Sequence, residues 1–195
     1  VTIENADIVL TQQSNCSPVN GSATVNEVTV NGAGIGNTTG YTFTWYESNG
    51  TTVIPGSGIA ATIGVPLGAG TYFVKATNAA TNCSSSITSF TIDDIHVDPV
   101  ASFISFVDNT NCTGVTPNGS ISIDVNGAGP LPGQFTIEWF TGNGTSTPLP
   151  VANVTGAAGQ TAQNLTAGTY TARVTGLTTP NSGCVSTASF TINDN

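Results

Sequence analysis

The chain has 195 residues, two basic and eleven acidic side chains, a formal net charge of −9, and only 7% charged residues. With Lys75 and Arg173 as its cations, it has no basic patch to neutralise phosphates, which excludes nucleic acid and anionic membrane surfaces as partners. No apolar run approaches the roughly 18 residues of a membrane span, and neither an initiator Met nor a leader is present, so the sequence reads as a mature or excised piece.

In chain order, Val1-Thr2-Ile3 comes first and resembles the later Phe90-Thr91-Ile92, so residues 1–5 are expected to be the end strand of a preceding copy, or a linker. Asn15-Cys16-Ser17 and Asn20-Gly21-Ser22 open the next element. Asn31-Gly32 and Asn49-Gly50 supply turns on either side of Tyr41-Thr42-Phe43-Thr44-Trp45. Ala69-Gly70-Thr71-Tyr72 starts a strand with Tyr72, Val74 and Ala76 facing in and Thr71, Phe73, Lys75 and Thr77 facing out. Cys83 follows it, and Ser89-Phe90-Thr91-Ile92 closes the unit.

The same signals then return in the same order. Asn111-Cys112-Thr113, Asn118-Gly119-Ser120, Asn126-Gly127, Phe135-Thr136-Ile137-Glu138-Trp139, Asn143-Gly144, Ala167-Gly168-Thr169-Tyr170 and Ser189-Phe190-Thr191-Ile192 match the first set at offsets of 94 to 100 residues. Gly119 to Val125 alternates, placing Ile121, Ile123 and Val125 on one face. Period two with one buried face is the mark of a sheet packed on a second sheet. No helical period appears. The fold class is therefore all-β, with two tandem β-sandwich domains over 6–94 and 95–195, seven or so strands each. The first copy carries three extra residues between its Asn20-Gly and Asn31-Gly signals, which predicts a bulge or a longer turn there.

Four Cys stand at equivalent places, Cys16 and Cys112 before the second strand, Cys83 and Cys184 after the strand that begins at Tyr72 or Tyr170. Short Cys-x-x-Cys spacing and His partners, which zinc requires, are missing. The simplest pairing is one disulfide per copy, Cys16–Cys83 and Cys112–Cys184. Each would close a loop of about 70 residues, worth roughly 4 kcal/mol in the chain-entropy model, and would imply an oxidising compartment.

Each copy thus has an Asn-Cys opening, an Asn-Gly-Ser strand start, an aromatic-x-(Phe/Ile)-x-Trp strand, a Leu-x-Ala-Gly-Thr-Tyr segment, a second Cys and a closing Ser-Phe-Thr-Ile followed by acidic residues. This pattern resembles the SprB-type repeats of Bacteroidetes gliding-motility and cell-surface adhesins, over nearly the whole chain, twice. It departs from that family in having Gly40-Tyr41 and Gly133-Gln134-Phe135 where Pro-Tyr is usual, and Thr81-Asn82-Cys83 and Ser182-Gly183-Cys184 in place of Asp-Asn-Gly-Cys. The resemblance implies immunoglobulin-like sandwiches in a long extracellular surface protein exported by a type IX system.

Catalytic chemistry has little to work with. His96 is the sole imidazole and reads as a linker residue in Asp93-Asp94-Ile95-His96-Val97-Asp98. Glu47 and Glu138 fall in different copies, so a carboxylate pair for glycoside hydrolysis is not at hand. Asp93, Asp94 and Asp98 are candidate Ca²⁺ ligands at the boundary between copies, with plain solvation as the simpler reading. Lys75 and Arg173 hold equivalent outward positions, read as pairing with a neighbouring acid. Tyr72 and Tyr170 are candidate tyrosine corners. The expected function is a non-enzymatic structural or adhesive repeat segment, extracellular, on a cell surface or secreted, with adjacent repeats or surface glycans as partners. One alternative is a glycan-binding accessory module, for which Tyr46, Phe73 and Phe140 are candidate outward aromatics. Another is a fibre subunit that assembles by strand addition through Val1-Thr2-Ile3. For a shaft, each copy must place its two termini at opposite ends.

Overall fold

In a computed structural model of the chain, all residues are described except 113, 128, 130 and 131. The described residues form strands, turns and two short 3₁₀ segments, and they divide into two all-β units. The first comprises 1–14 and 18–95, the second 15–17 and 96–195. Residues 1–5 fall with the first unit. Thr2 bridges Thr29 and Ile3 is buried in the first unit's own core, because the apolar Ile3 side chain finds its cover there. Residues 15–17, which precede the second strand of the first copy in sequence, fall with the second unit.

The first unit contains β1 (Ile8–Thr11), β2 (Ser22–Val25), β3 (Thr29–Val30), β4 (Ala33–Gly34), β5 (Tyr41–Tyr46), β6 (Gly70–Asn78) and β7 (Thr88–Ile92). β5, β6 and β7 form one antiparallel sheet, and β1 pairs with β2. The core is the inward set of these strands: Ala23 and Val25 of β2, Phe43 and Trp45 of β5, Val74 and Ala76 of β6, and Phe90 and Ile92 of β7. Alternation alone puts them there, since successive side chains on a strand point to opposite faces. The three extra residues lie at 26–28. They interrupt what would be one strand, and Val28 turns fully into the core.

The second unit contains β8 (Ala101–Val107), β9 (Gly119–Val125), β10 (Phe135–Thr141), β11 (Val154–Thr155), β12 (Thr161–Leu165), β13 (Gly168–Gly176) and β14 (Val185–Ile192). One sheet has the order β11-β12-β9-β8 and the other β10-β13-β14. Ile121, Ile123 and Val125 of β9 pack with Trp139, Ala172, Val174 and Ile192 in one buried core. Without the extra residues, β9 runs unbroken for seven residues where the first unit has β2, a kink and β3.

The Asn31-Gly32 pair makes the two-residue turn expected of it, joining β3 to β4 with Val30 opposite Ala33. Asn31 and Gly32 have φ of 53° and 79°, and Asn126 and Gly127 have 59° and 72°. Positive φ at both central residues matches a type I′ turn, which follows the right-handed twist of the flanking strands.

Each unit threads its chain from one pole to the other. In the second, Val100 exchanges hydrogen bonds with Asn126 at the Val125 end of β9, and the chain leaves beyond Ile192 beside Asn109. In the first, Thr2 pairs with Thr29, and the exit lies beside Gln13. The exits are built alike. Gln13 bridges Asp94 and Asn109 bridges Asp194, both in parallel.

Candidate functional site

The features that recur in both copies, and that are not simply core, gather at the two poles of each unit. At the exit pole the loop before the second strand carries Cys16 or Cys112. The Asn of each Asn-Gly-Ser motif holds that loop. The Asn20 side chain accepts a hydrogen bond from the Ser14 amide and donates one to Ser14 Oγ, at 2.9 and 3.0 Å. Asn118 does the same to Thr110, at 2.9 and 2.9 Å. Ser14 and Thr110 each precede the cysteine by two residues, so one device holds the cysteine loop of both copies.

The glycine that follows is needed for another reason. A Cβ on Gly21 would lie 2.6 Å from the Leu67 carbonyl oxygen, and one on Gly119 would lie 2.5 Å from that of Leu165. Gly21 and Leu67 exchange backbone hydrogen bonds in just this space.

At the opposite pole, the hairpin between the sixth and seventh strands carries Cys83 or Cys184. The Asn78 amide donates to the Cys83 carbonyl, and the Gly176 amide donates to the Cys184 carbonyl, both at 2.9 Å. The two cysteines therefore occupy one register position in their copies.

This polar arrangement overturns the expected disulfides. Within a copy the two cysteines are separated by the length of the sixth strand, nine residues in both β6 and β13. That is about 27 Å at ~3.4 Å per residue, against the ~7 Å limit for bridged Cα atoms. Cys16–Cys83 and Cys112–Cys184 are not formed. Cys16 is bonded instead to Cys184, with Cα atoms 4.8 Å apart, and Cys83 and Cys112 are exposed free thiols. The segment 15–17 is seated on the second unit's hairpin by the amides of Cys16 and Ser17, which both donate to the Ser182 carbonyl at 2.9 and 3.1 Å. Gly183, at φ 73°, leaves the room. A Cβ there would overlap the Ser17 backbone. Strand counting held the signal that was missed. The start of the second strand and the end of the sixth fall at opposite poles of any such sandwich.

The remaining candidates are placed as follows. Tyr72 donates to the Gly68 carbonyl and Tyr170 to the Thr166 carbonyl, at 3.1 and 2.9 Å, each four residues earlier, forming tyrosine corners. Arg173 makes a two-nitrogen contact with Glu138, at 2.9 and 2.6 Å, and lies 5.1 Å from the Phe140 ring centroid. Lys75 faces Thr44 in the matching register and lies 5.9 Å from the Tyr46 ring. His96 Nε2 is 3.7 Å from Asp98 Oδ1.

Asp93 and Asp94 belong to the first unit and Asp98 to the second. The one group of three candidate ligand atoms among the described residues is Cys16, Asp98 and Cys184. Two of its members are the sulfurs of the disulfide and hold no thiolate for a metal.

Phe140 was expected to face outward but is buried. The loop after β10 folds back so that Phe140 bridges Pro148, and Arg173 covers the ring. Exposed aromatics occur instead on β8, where Phe103 and Phe106 are about half exposed, with ring centroids 5.4 Å apart and planes tilted by 54°. The segment 101–107 does not alternate, and its pairing with β9 shifts register between Phe103 and Ser105.

Among solved structures, the three N-terminal domains of the bacteriophage RB49 Highly Immunogenic Outer Capsid protein (Hoc) are similar to this chain. The match has 16% identity and a TM-score of 0.46, over 95% of this chain and 58% of that one. This chain thus spans 58% of the length of the matched chain. No family model matches, and no curated protein matches. Among the described residues, no helix is long and apolar enough to cross a membrane.

Proposed function

We propose that the chain is a non-enzymatic structural module of a protein displayed outside the cell, a repeat of the kind its SprB-like sequence pattern suggests. The observation that carries this reading is the Cys16–Cys184 bond, which ties the first-loop cysteine of one copy to the hairpin cysteine of the next. A bond of this kind persists in an oxidising compartment and is lost in a reducing one. The surface supports the reading as well. Its polar positions are Thr, Ser and Asn rather than charge, and trypsin-like proteases find cleavage sites only at Lys75 and Arg173. Glycan binding through stacked rings draws less support, because Phe103 and Phe106 are tilted rather than coplanar and Phe140 is covered.

The test is labelling of intact cells or particles of the source with antibodies raised against the folded chain. Labelling without permeabilisation supports display. Labelling that appears only after lysis overturns it.

A further inference from the structure

Cys83 and Cys112 are each half of a bond that the structure contains elsewhere. Cys112 matches Cys16, because Asn118 holds the Thr110 backbone as Asn20 holds that of Ser14. Cys83 matches Cys184, because each accepts the same register hydrogen bond across the base of its hairpin, from Asn78 and from Gly176. Cys16 and Cys184 are bonded to each other, while Cys83 and Cys112 are exposed thiols at opposite poles of their respective units. Neither can reach the other cysteine of its own copy, for the reason of length already given.

We infer that Cys112 and Cys83 are a complementary pair of covalent docking sites for a second copy of this chain, Cys112 of one molecule bonding to Cys83 of the next. The bond repeats the observed rule that the first-loop cysteine of one copy joins the hairpin cysteine of the copy that follows. Cys112 lies beside an open recess on its pole, lined by Asn111, Val115, Pro117, Thr166 and Ala167, so its sulfur is accessible.

The chemistry is thiol–disulfide exchange with a small disulfide oxidant. One oxidised glutathione and the Cys83 thiol give a mixed disulfide on Cys83 and one reduced glutathione. The Cys112 thiolate of another molecule then attacks the Cys83 sulfur, forming the protein bond and expelling the second reduced glutathione. Two protein thiols are oxidised and one glutathione disulfide is reduced.

One local difference bears on the fit. Asn82, at φ 57°, precedes Cys83 as Gly183, at φ 73°, precedes Cys184. The incoming loop passes where a Cβ on Gly183 would sit, so at Asn82 it has to shift outward.

The inference deepens the reading of the chain as a repeat module and rests on it, but its test is carried out in solution and does not depend on where the protein is displayed. The full chain is incubated in a glutathione redox buffer as wild type, as Cys83→Ser, as Cys112→Ser, and as an equimolar mixture of the two variants. Products are separated without reductant. Retention of the Cys16–Cys184 bond in each variant is checked by peptide mapping. The wild type should give a ladder of multimers, each variant alone should stay monomeric, and the mixture should give a dimer and nothing larger. Asn82→Gly added to the Cys112→Ser partner should speed dimer formation. Dimers from either variant alone at the yield of the mixture would overturn the inference by showing indiscriminate thiol pairing. A mixture that stays monomeric would overturn it as well. Loss of surface labelling would leave these results standing and would count only against the display reading.

Discussion

Single side chains do the same work twice in this molecule, and that makes their contributions separable. The Tyr72 and Tyr170 hydroxyls each close a corner onto a carbonyl four residues back. A half-buried hydrogen bond of this kind is worth about 1 kcal/mol net. Tyr170→Phe should therefore lower stability by about 1 kcal/mol, with Tyr72→Phe giving a similar loss, read from urea unfolding midpoints at unchanged slope. The Arg173–Glu138 pair is different in kind. Both side chains are substantially exposed and water screens them, so Glu138→Gln should cost less than about 1 kcal/mol in spite of its short contacts. A loss of 2 kcal/mol or more in that titration would mean that Phe140, beneath the guanidinium, depends on the pair for its cover. The sequence showed that Lys75 and Arg173 were one site in two copies. It did not show that their partners differ, Thr44 in one register and Glu138 in the other.

At the scale of elements, the Asn-Gly-Ser motif combines two requirements that sequence alone presents as one turn signal. Its Asn anchors the cysteine loop and its Gly admits the backbone of the neighbouring strand. Gly119→Ala should destabilise the second unit by about 1–3 kcal/mol, because the obstacle is the fixed Leu165 carbonyl and the added methyl cannot rotate away. Thermal unfolding with and without the substitution measures it, and an unchanged midpoint would mean that the strands part easily there. The strands themselves were legible because alternation fixes which residues face inward. Ile121, Ile123 and Val125 are buried as a set, and so are Phe43 and Trp45. What lies outside a sheet was not legible. Phe140 sits on the outward face of its strand and is buried all the same, since the loop that follows β10 folds back beside it and Arg173 lies over its ring. Phe103 and Phe106 of β8 are about half exposed. Period two distinguishes the faces of a strand but does not say which loops will lie on them.

For the molecule as a whole, the cysteine pairing was the feature that sequence comparison misdirected. Equivalence between the copies suggested one bond in each, whereas equivalence with opposite polarity requires bonds from copy to copy. The Cys16–Cys184 bond spans 168 residues of chain, and its reduction should lower the stability of the second unit by about 2–4 kcal/mol. Calorimetry with and without reductant would show this, and a thermogram indifferent to reductant would contradict it. The pairing itself can be read from one digest. Cleavage at Lys75 and Arg173 gives three tryptic peptides, 1–75, 76–173 and 174–195, which separate Cys16 from Cys184 and hold Cys83 and Cys112 together on the middle one. The monomeric protein is alkylated, denatured, digested without reductant and weighed by mass spectrometry. Peptides 1–75 and 174–195 should appear joined, and 76–173 should appear alone with two alkylated thiols. A single species holding all three peptides, with no alkylated cysteine, would instead tie both Cys16 and Cys184 to the middle peptide, as Cys16–Cys83 with Cys112–Cys184 would, and would contradict the account from the poles outward.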